Sequence, residues 1–283
     1  MLSGKTIIVA GATRGFGRHI AHRLHAEGAE LLALGRDEAK LNSLRNDLGE
    51  RVMTLPVNLA TQAGVDATYS FARERWPRLD VLINNFAIQG PIGCFWKSDA
   101  DEWSKTIATN LLAPVNLCRV FAPWMIEAGA GKIVNVSGGG ATAPRQNFTA
   151  YGTSKAGLVR FSETLAEELR PHNVTVNCIA PGTMTTDMHR EIFVAGSEAA
   201  GEKEYGQSKA LLSNGETAPS QALDLITFLA STESDSITGK LISAVWDPWR
   251  SIATHLGDLD SDIYTLRRIT PEDRGLSWEK SQA

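Results

Sequence analysis

Seven short apolar runs, each separated from the next by a longer amphipathic segment, constrain the fold of this chain more than any other feature. The runs are Thr6–Ala10, Glu30–Gly35, Val52–Val57, Val81–Ile83, Lys132–Val136, Val174–Ile179 and Lys240–Val245. They are too brief for helices and apolar enough to be buried on both faces, as strands of a parallel sheet are. Helical segments occupy the intervals near 16–28, 37–48, 62–75, 99–128, 151–170 and 217–231. Strict alternation requires crossovers on both sides, so the predicted architecture is α/β, a single doubly wound parallel sheet with helices on both faces. The alternating pattern fills residues 1–245 of the 283, near the upper end for one domain. Residues 187–215 lack a clean core period and are predicted to form a mobile lid over the site. Residues 246–283, beginning Trp246-Asp247-Pro248-Trp249-Arg250, are too aromatic for a plain disordered tail. They are expected to be a C-terminal extension packed on the domain or on a neighbouring subunit.

Composition removes several classes of function. A net charge of −4, with acids and bases interspersed, offers no basic stripe for nucleic acid. No apolar run approaches the roughly 18 residues of a membrane helix, and no basic leader precedes one, so a cytoplasmic protein without a membrane partner is expected. Cys94, Cys118 and Cys178 are odd in number and in no metal spacing, as for reduced thiols. His19, His22 and His25 recur on the first helix, but Ile20 and Leu24 must face inward there and carboxylate ligands are lacking. They read as a solvated face, and no metal is expected.

Ile7-Ile8-Val9-Ala10 runs directly into Gly11-Ala12-Thr13-Arg14-Gly15-Phe16-Gly17, and then into an amphipathic helix. Glycines let the backbone turn tightly and approach a pyrophosphate, while the helix start offers free N–H groups and its positive dipole end. The context of strand, turn and helix is what such a turn requires to bind a dinucleotide. Further along, Tyr151-Gly152-Thr153-Ser154-Lys155 places a phenol and an ammonium one helical turn apart on one face. There the ammonium is expected to hold the phenol below its ordinary pKa, so that it exchanges a proton with a carbonyl oxygen.

The Gly-x-x-x-Gly-x-Gly spacing, Asn84-Asn85-Phe86-Ala87 after the fourth strand, Asn110 in the long helix, Tyr151 with Lys155, and Pro181-Gly182 with Thr186 occur in a characteristic order. In this the chain resembles the short-chain dehydrogenase/reductase family from about Ser3 to Val245. The resemblance implies a Rossmann-type fold, a nicotinamide cofactor, and Tyr151 as general acid/base. It implies that Lys155 lowers the phenol's pKa and binds the nicotinamide ribose, that a serine orients the substrate oxygen, and that Asn110 holds a proton-relay water. The cofactor-binding residues it implies are Gly11, Thr13, Arg14, Gly15, Phe16 and Gly17 in the turn, and Asn58, Leu59, Asn85 and Ala87 after the third and fourth strands. Tyr151, Lys155, Pro181, Gly182 and Thr186 complete them. Helices of this family commonly pair, so a homodimer or homotetramer is expected. The apolar stripe Trp103, Leu111, Leu112, Leu117, Val120, Phe121 and Trp124 reads as core or subunit interface.

Four positions depart from the family pattern. The serine usually stands 13 residues before the tyrosine, and that position is Gly138. Ser137 reaches the site only if the run Gly138-Gly139-Gly140 absorbs one residue; otherwise it satisfies backbone at a strand end, and Thr142 or a backbone N–H orients the carbonyl. Ala10 replaces a Thr, Asn58 an Asp, and Ala87 a Gly. The second strand ends Leu34-Gly35-Arg36-Asp37, where an acid receives the ribose hydroxyls of NAD. Gly35 takes that place, while Arg36 and Arg14 suit the 2′-phosphate of NADP. NADP is the expected cofactor and NAD the alternative, with Asp37 either the N-cap of the next helix or, for NAD, the ribose ligand. The expected reaction is hydride transfer between nicotinamide and a ketone or secondary alcohol. A non-catalytic cofactor-binding sensor or scaffold, and an epimerase-type enzyme, are the alternatives on the same fold.

Overall fold

The computed structural model describes residues 1–213 and 220–278. Its strands are β1 (Thr6–Ala10), β2 (Glu30–Gly35), β3 (Val52–Pro56), β4 (Val81–Asn84), β5 (Gly131–Val136), β6 (Val174–Ala180) and β7 (Leu241–Ser243). They form one sheet in the order β3-β2-β1-β4-β5-β6-β7, parallel throughout. Alternate strand residues feed opposite layers, as the two-residue period requires. Ile7, Val9, Leu31 and Ala33 pack under α1 (Gly15–Ala26), α2 (Glu38–Leu48) and α9 (Ser220–Ala230). Ile8, Ala10, Leu32 and Leu34 pack on the other face with Val65, Leu117, Phe121 and Ala166. Those residues belong to α3 (Gln62–Arg73), α5 (Ala113–Glu127) and α6 (Thr149–Leu169). Chain order reverses between β1 and β4, and this switch point opens a crevice beyond their carboxyl ends, where ligands of such sheets bind.

Two segments differ from their sequence expectation. The helix predicted over 99–128 is interrupted, running as α4 (Ala100–Ile107), a π turn over Ala108–Leu112, and α5. Pro114 has no N–H to donate to the Asn110 carbonyl four residues back, and Ala113 bonds instead to Ala108. Residues 187–213 are helical, as α7 (Asp187–Ala200) and α8 (Glu202–Ser213), with the Phe193 and Tyr205 rings stacked at 5.4 Å. They showed no core period because α7 buries only Ile192 and Ala200, and α8 only Ser208. Residues 214 and 215 of the expected lid, and 217–219 of the expected last helix, lie outside the described residues.

The described residues beyond β7, 244–278, fold back onto their own domain. Trp249 and Ile252 enter the core, Lys240 Nζ donates to the carbonyls of Ser261 and Ile263 at 3.0 Å each, and the Leu266 N–H donates to Glu163 at 2.6 Å. Burial pushes the Cys118 and Cys178 thiols up to about 12, which makes them packing groups. Among the described residues no helix is long and apolar enough to cross a membrane.

Candidate active site

A cleft of about 1220 Å³ runs along the carboxyl edge of the sheet, from Arg36 and Asn58 at one end to Tyr151 and helices α7 and α8 at the other. Gly11, Thr13, Arg14, Gly15 and Phe16 line its floor, with Leu59, Asn85, Ala87, Pro181, Gly182 and Thr186 along its walls. The glycines of the floor let the turn pack closely on the protein around it. Gly11 has φ +86°, and a Cβ there would stand 2.8 Å from Phe86 Cβ. A Cβ on Gly17 would overlap the Gly11 carbonyl oxygen and lie 2.5 Å from Asn85 Nδ2, which itself donates to that carbonyl at 3.2 Å. Gly17 is buried beneath the turn, where its missing side chain lets α1 meet Gly11 and Asn85 so closely.

At the far end, a side chain at position 35 would collide with the methyl group of Thr13. The place of an NAD-type acid is therefore closed by the turn itself. Arg36 stands exposed on the cleft rim. Asp37 is the N-cap of α2, accepting the Lys40 N–H at 3.0 Å. Arg14 is exposed and pairs with Asp187 at the start of α7, so an incoming phosphate meets one guanidinium shared with the lid. The Asn58 side chain accepts the Ala60 N–H at 3.2 Å.

The catalytic candidates converge on the first turns of α6. A Cβ built on Gly138 would lie 3.0 Å from the Tyr151 hydroxyl, so Gly138 rather than Ser137 presents its side-chain position to the phenol. Ser137 is 4% exposed and its Oγ donates to the Lys155 carbonyl at 3.5 Å, holding the β5 end to α6. Thr142 is exposed and donates to Gly139. Asn110 is fully buried: its Oδ1 accepts the Ile88 N–H at 2.8 Å, and its Nδ2 donates to the Ile88 carbonyl at 2.9 Å and Ser154 Oγ at 3.1 Å. Both N–H groups of that side chain and one lone pair of its oxygen are thus spent on position.

The electrostatics differ from the simple Tyr–Lys expectation. Lys155 Nζ donates to the Val136 carbonyl at 2.8 Å, 5.8 Å from the Tyr151 ring centre. Burial pulls its ammonium down to about 8. Burial pushes the Tyr151 phenol up, and the cation that opposes this is Arg145. The Arg145 guanidinium lies 3.9 Å from the Phe148 ring centre and 5.5 Å from that of Tyr151. Glu204 of the lid grips it through two bonds, at 3.0 and 2.8 Å. Neither the Arg145–Glu204 pair nor the burial of Gln89 in the cleft wall carries a local sequence signal, because each depends on segments that meet only in the folded chain.

A family model described as short chain dehydrogenase matches residues 5–195. Nodulation protein G of Rhizobium sp. (strain N33) is 31% identical over 241 residues, covering 85% of this chain and 95% of its own. The 3-oxoacyl-(acyl-carrier-protein) reductase FabG of Vibrio harveyi is 30% identical over 245 residues, covering 85% and 96%. Among solved structures, an NADPH-dependent reductase involved in bacilysin biosynthesis superimposes with a TM-score of 0.76 at 25% identity, covering 86% of this chain and 97% of its own. The actinorhodin polyketide ketoreductase with NADPH has the same TM-score, identity and coverage.

Proposed function

This chain belongs to the short-chain dehydrogenase/reductase family of NAD(P)-dependent oxidoreductases, and on that premise we propose that it moves a hydride between NADP(H) and a ketone or secondary alcohol, with Tyr151 as general acid and base. The observation that carries this reading is half-buried Tyr151 and buried Lys155, one turn apart on α6 and lining the same cleft as the glycine turn. Gly15 lines the cleft at φ +50°, with only Thr186, at 3.9 Å, near the place of its missing Cβ, so the turn leaves room there for a pyrophosphate and the residues fit a dinucleotide. Bound there, the nicotinamide supplies the hydride. The chain supplies the rest: Tyr151 gives its phenolic proton to the carbonyl oxygen, and accepts one in alcohol oxidation. Lys155 places an ammonium behind the phenol, and the Asn110 carbonyl, which Pro114 cannot bond, holds the relay water. Ser137 keeps β5 and α6 in register. Two or four copies pairing through the long-helix face, where Leu112 is 50% exposed, belong to the same reading.

The reading is tested by NADPH fluorescence titration followed by turnover with a panel of ketones and diketones. Binding with no turnover would favour the sensor alternative, which Gly138 supports. Turnover of both epimers of one alcohol without net NADPH consumption would favour the epimerase.

Cofactor choice rests on Arg36 and the closed position 35. Arg36→Ala is expected to raise the NADPH KM more than tenfold, since a hydrogen bond to a charged group contributes about 1.5–3 kcal/mol, with NADH kinetics little changed. A wild-type enzyme that prefers NADH would hand the ribose to Asp37 instead. Arg145 sets a pH dependence with a definite sign. At 5.5 Å a unit charge in a water-like dielectric favours the phenolate by about 0.8 kcal/mol. Arg145→Gln, which leaves the negative Glu204 in place, therefore raises the Tyr151 pKa. The pH profile of alcohol oxidation, which needs the phenolate, should move up by roughly half a unit or more. An unshifted profile would remove Arg145 from the phenol's environment.

A further inference from the structure

Arg14 is the charged residue of the glycine turn, and a carboxylate of the protein's own already holds it. Arg14 is the N-cap of α1, yet its side chain makes no capping bond, and the first turn of α1 carries no acid. Positive charge therefore gathers at this end of the helix with no local anion to offset it, the condition under which a helix start draws one from elsewhere. Asp187 supplies one: its carboxylate pairs with Arg14 Nη1 across 173 residues of sequence.

Asp187 opens α7, and α7 starts over the turn itself. A Cβ on Gly15 would lie 3.9 Å from Thr186 Cγ2, on the residue just before Asp187. Asp187 and, one turn on, Glu191 line the same cleft as Arg14 and Gly15. Both carry the sign of charge that a dinucleotide's phosphates carry, so this wall opposes the ligand that the turn attracts. The two side chains of the Arg14–Asp187 pair are 56% and 38% exposed, and ion pairs so open to water contribute little. A phosphate grips a guanidinium through charge-assisted, often paired bonds and is the stronger partner. Asp187 is not stranded by the exchange, because Arg190, three residues along α7, lies 3.4 Å from its other carboxylate oxygen.

We propose that Asp187 is an internal competitor for the cofactor: its carboxylate and a phosphate of the nicotinamide nucleotide take Arg14 in turn, so Asp187 limits how tightly the nucleotide is held. This rests on the oxidoreductase reading above and adds to it a residue, outside the reacting atoms, that sets cofactor affinity. Restrained affinity suits a nucleotide that must leave after each hydride transfer, since release of a bound product often limits turnover.

The test is fluorescence titration of NADPH and NADH against wild type, Asp187→Asn, Asp187→Ser, Arg14→Gln and Arg14→Gln/Asp187→Asn, with Tm measured alongside. Asp187→Asn and Asp187→Ser are each expected to lower the NADPH Kd roughly threefold to tenfold at about 20 mM salt, with the gain shrinking at about 0.3 M as charge is screened. In the Arg14→Gln background the same substitution should lose most of that gain, because the group competed for is gone. A gain for NADPH alone assigns the 2′-phosphate to Arg14, and an equal gain for NADH assigns the pyrophosphate; either supports the competition. NADPH binding that is unchanged or weaker in both Asp187 variants overturns it, since Arg14 would then serve carboxylate and phosphate together. So does a gain that persists undiminished without Arg14, which would be general charge repulsion. If wild type binds neither nucleotide, the oxidoreductase reading fails and the competition with it. If wild type binds NADPH and the Asp187 variants bind it no better, only the role of Asp187 falls.

Discussion

Tyr151→Phe is expected to bind NADPH as the wild type does while kcat falls by a factor of roughly 10² or more, the scale of lost general acid catalysis. The substitution removes one oxygen from a ring held by Phe148 and Ile192 on one side and by the Arg145 guanidinium on another. The ring's packing survives it, and Tm should move little. Because burial raises the phenol's pKa, the proton is present across the neutral range, and carbonyl reduction has a donor there. Without that oxygen the alkoxide forming on the substrate must take its proton from water. The loss should therefore appear in kcat and kcat/KM alike, with substrate KM little altered. Steady-state kinetics beside a fluorescence titration of NADPH checks both halves. A Phe variant with near-normal turnover would take Tyr151 out of the chemistry, whatever its place in the cleft.

The second large effect belongs to the glycine turn. In Gly17→Ala the new methyl group occupies the space of the Gly11 carbonyl oxygen and crowds Asn85 Nδ2. Both neighbours are tied to each other, so relief requires the turn to move as a unit away from α1. Overpacking of this kind costs roughly 1–3 kcal/mol, which alone lowers Tm by several degrees in a chain of this size. The displaced turn also carries the backbone N–H groups that meet the pyrophosphate. NADPH affinity should consequently fall on the order of a hundredfold, toward the upper end of that energy range at about 1.4 kcal/mol per decade. Gly139→Ala is the control: its Cβ would meet nothing within 4 Å, and it should bind NADPH normally. Equal affinity in both variants would mean that close approach at Gly17 is not what the cofactor site requires.

Much of this molecule was legible before its structure was known. The seven strands and their all-parallel pairing followed from apolar runs too short for helices, and the glycine turn from its place between strand and helix. Asp37 could be weighed as a helix cap because capping depends on backbone only three residues away, and the structure places its carboxylate there. The break at Asn110 was hidden although its cause, Pro114, stood in plain view. A proline near a helix start is ordinary, and only the buried clamp on Ile88 makes a π turn the better solution. The lid helices escaped notice because so little of either is buried that apolar spacing carried no period.

Residue spacing alone was enough to place the strands, most of the helices and their order, and to single out Tyr151 as the candidate proton donor, because local spacing along the chain controls which backbone is buried and which side chains share a helical face. Tertiary structure decided what those groups meet. Lys155 could be read as the phenol's partner, yet its ammonium is turned to the Val136 carbonyl. The cation beside the ring is Arg145, held by Glu204 from 59 residues further along the chain. Gly138 could be seen to lack a hydroxyl, but only the folded chain shows that its bare side faces Tyr151 and that the buried Gln89 Nε2 has no partner among the described residues. Such contacts join residues distant in sequence through space filled by packing, and burial sets their energies, so they exist only once the sheet and its helices have closed around the cleft.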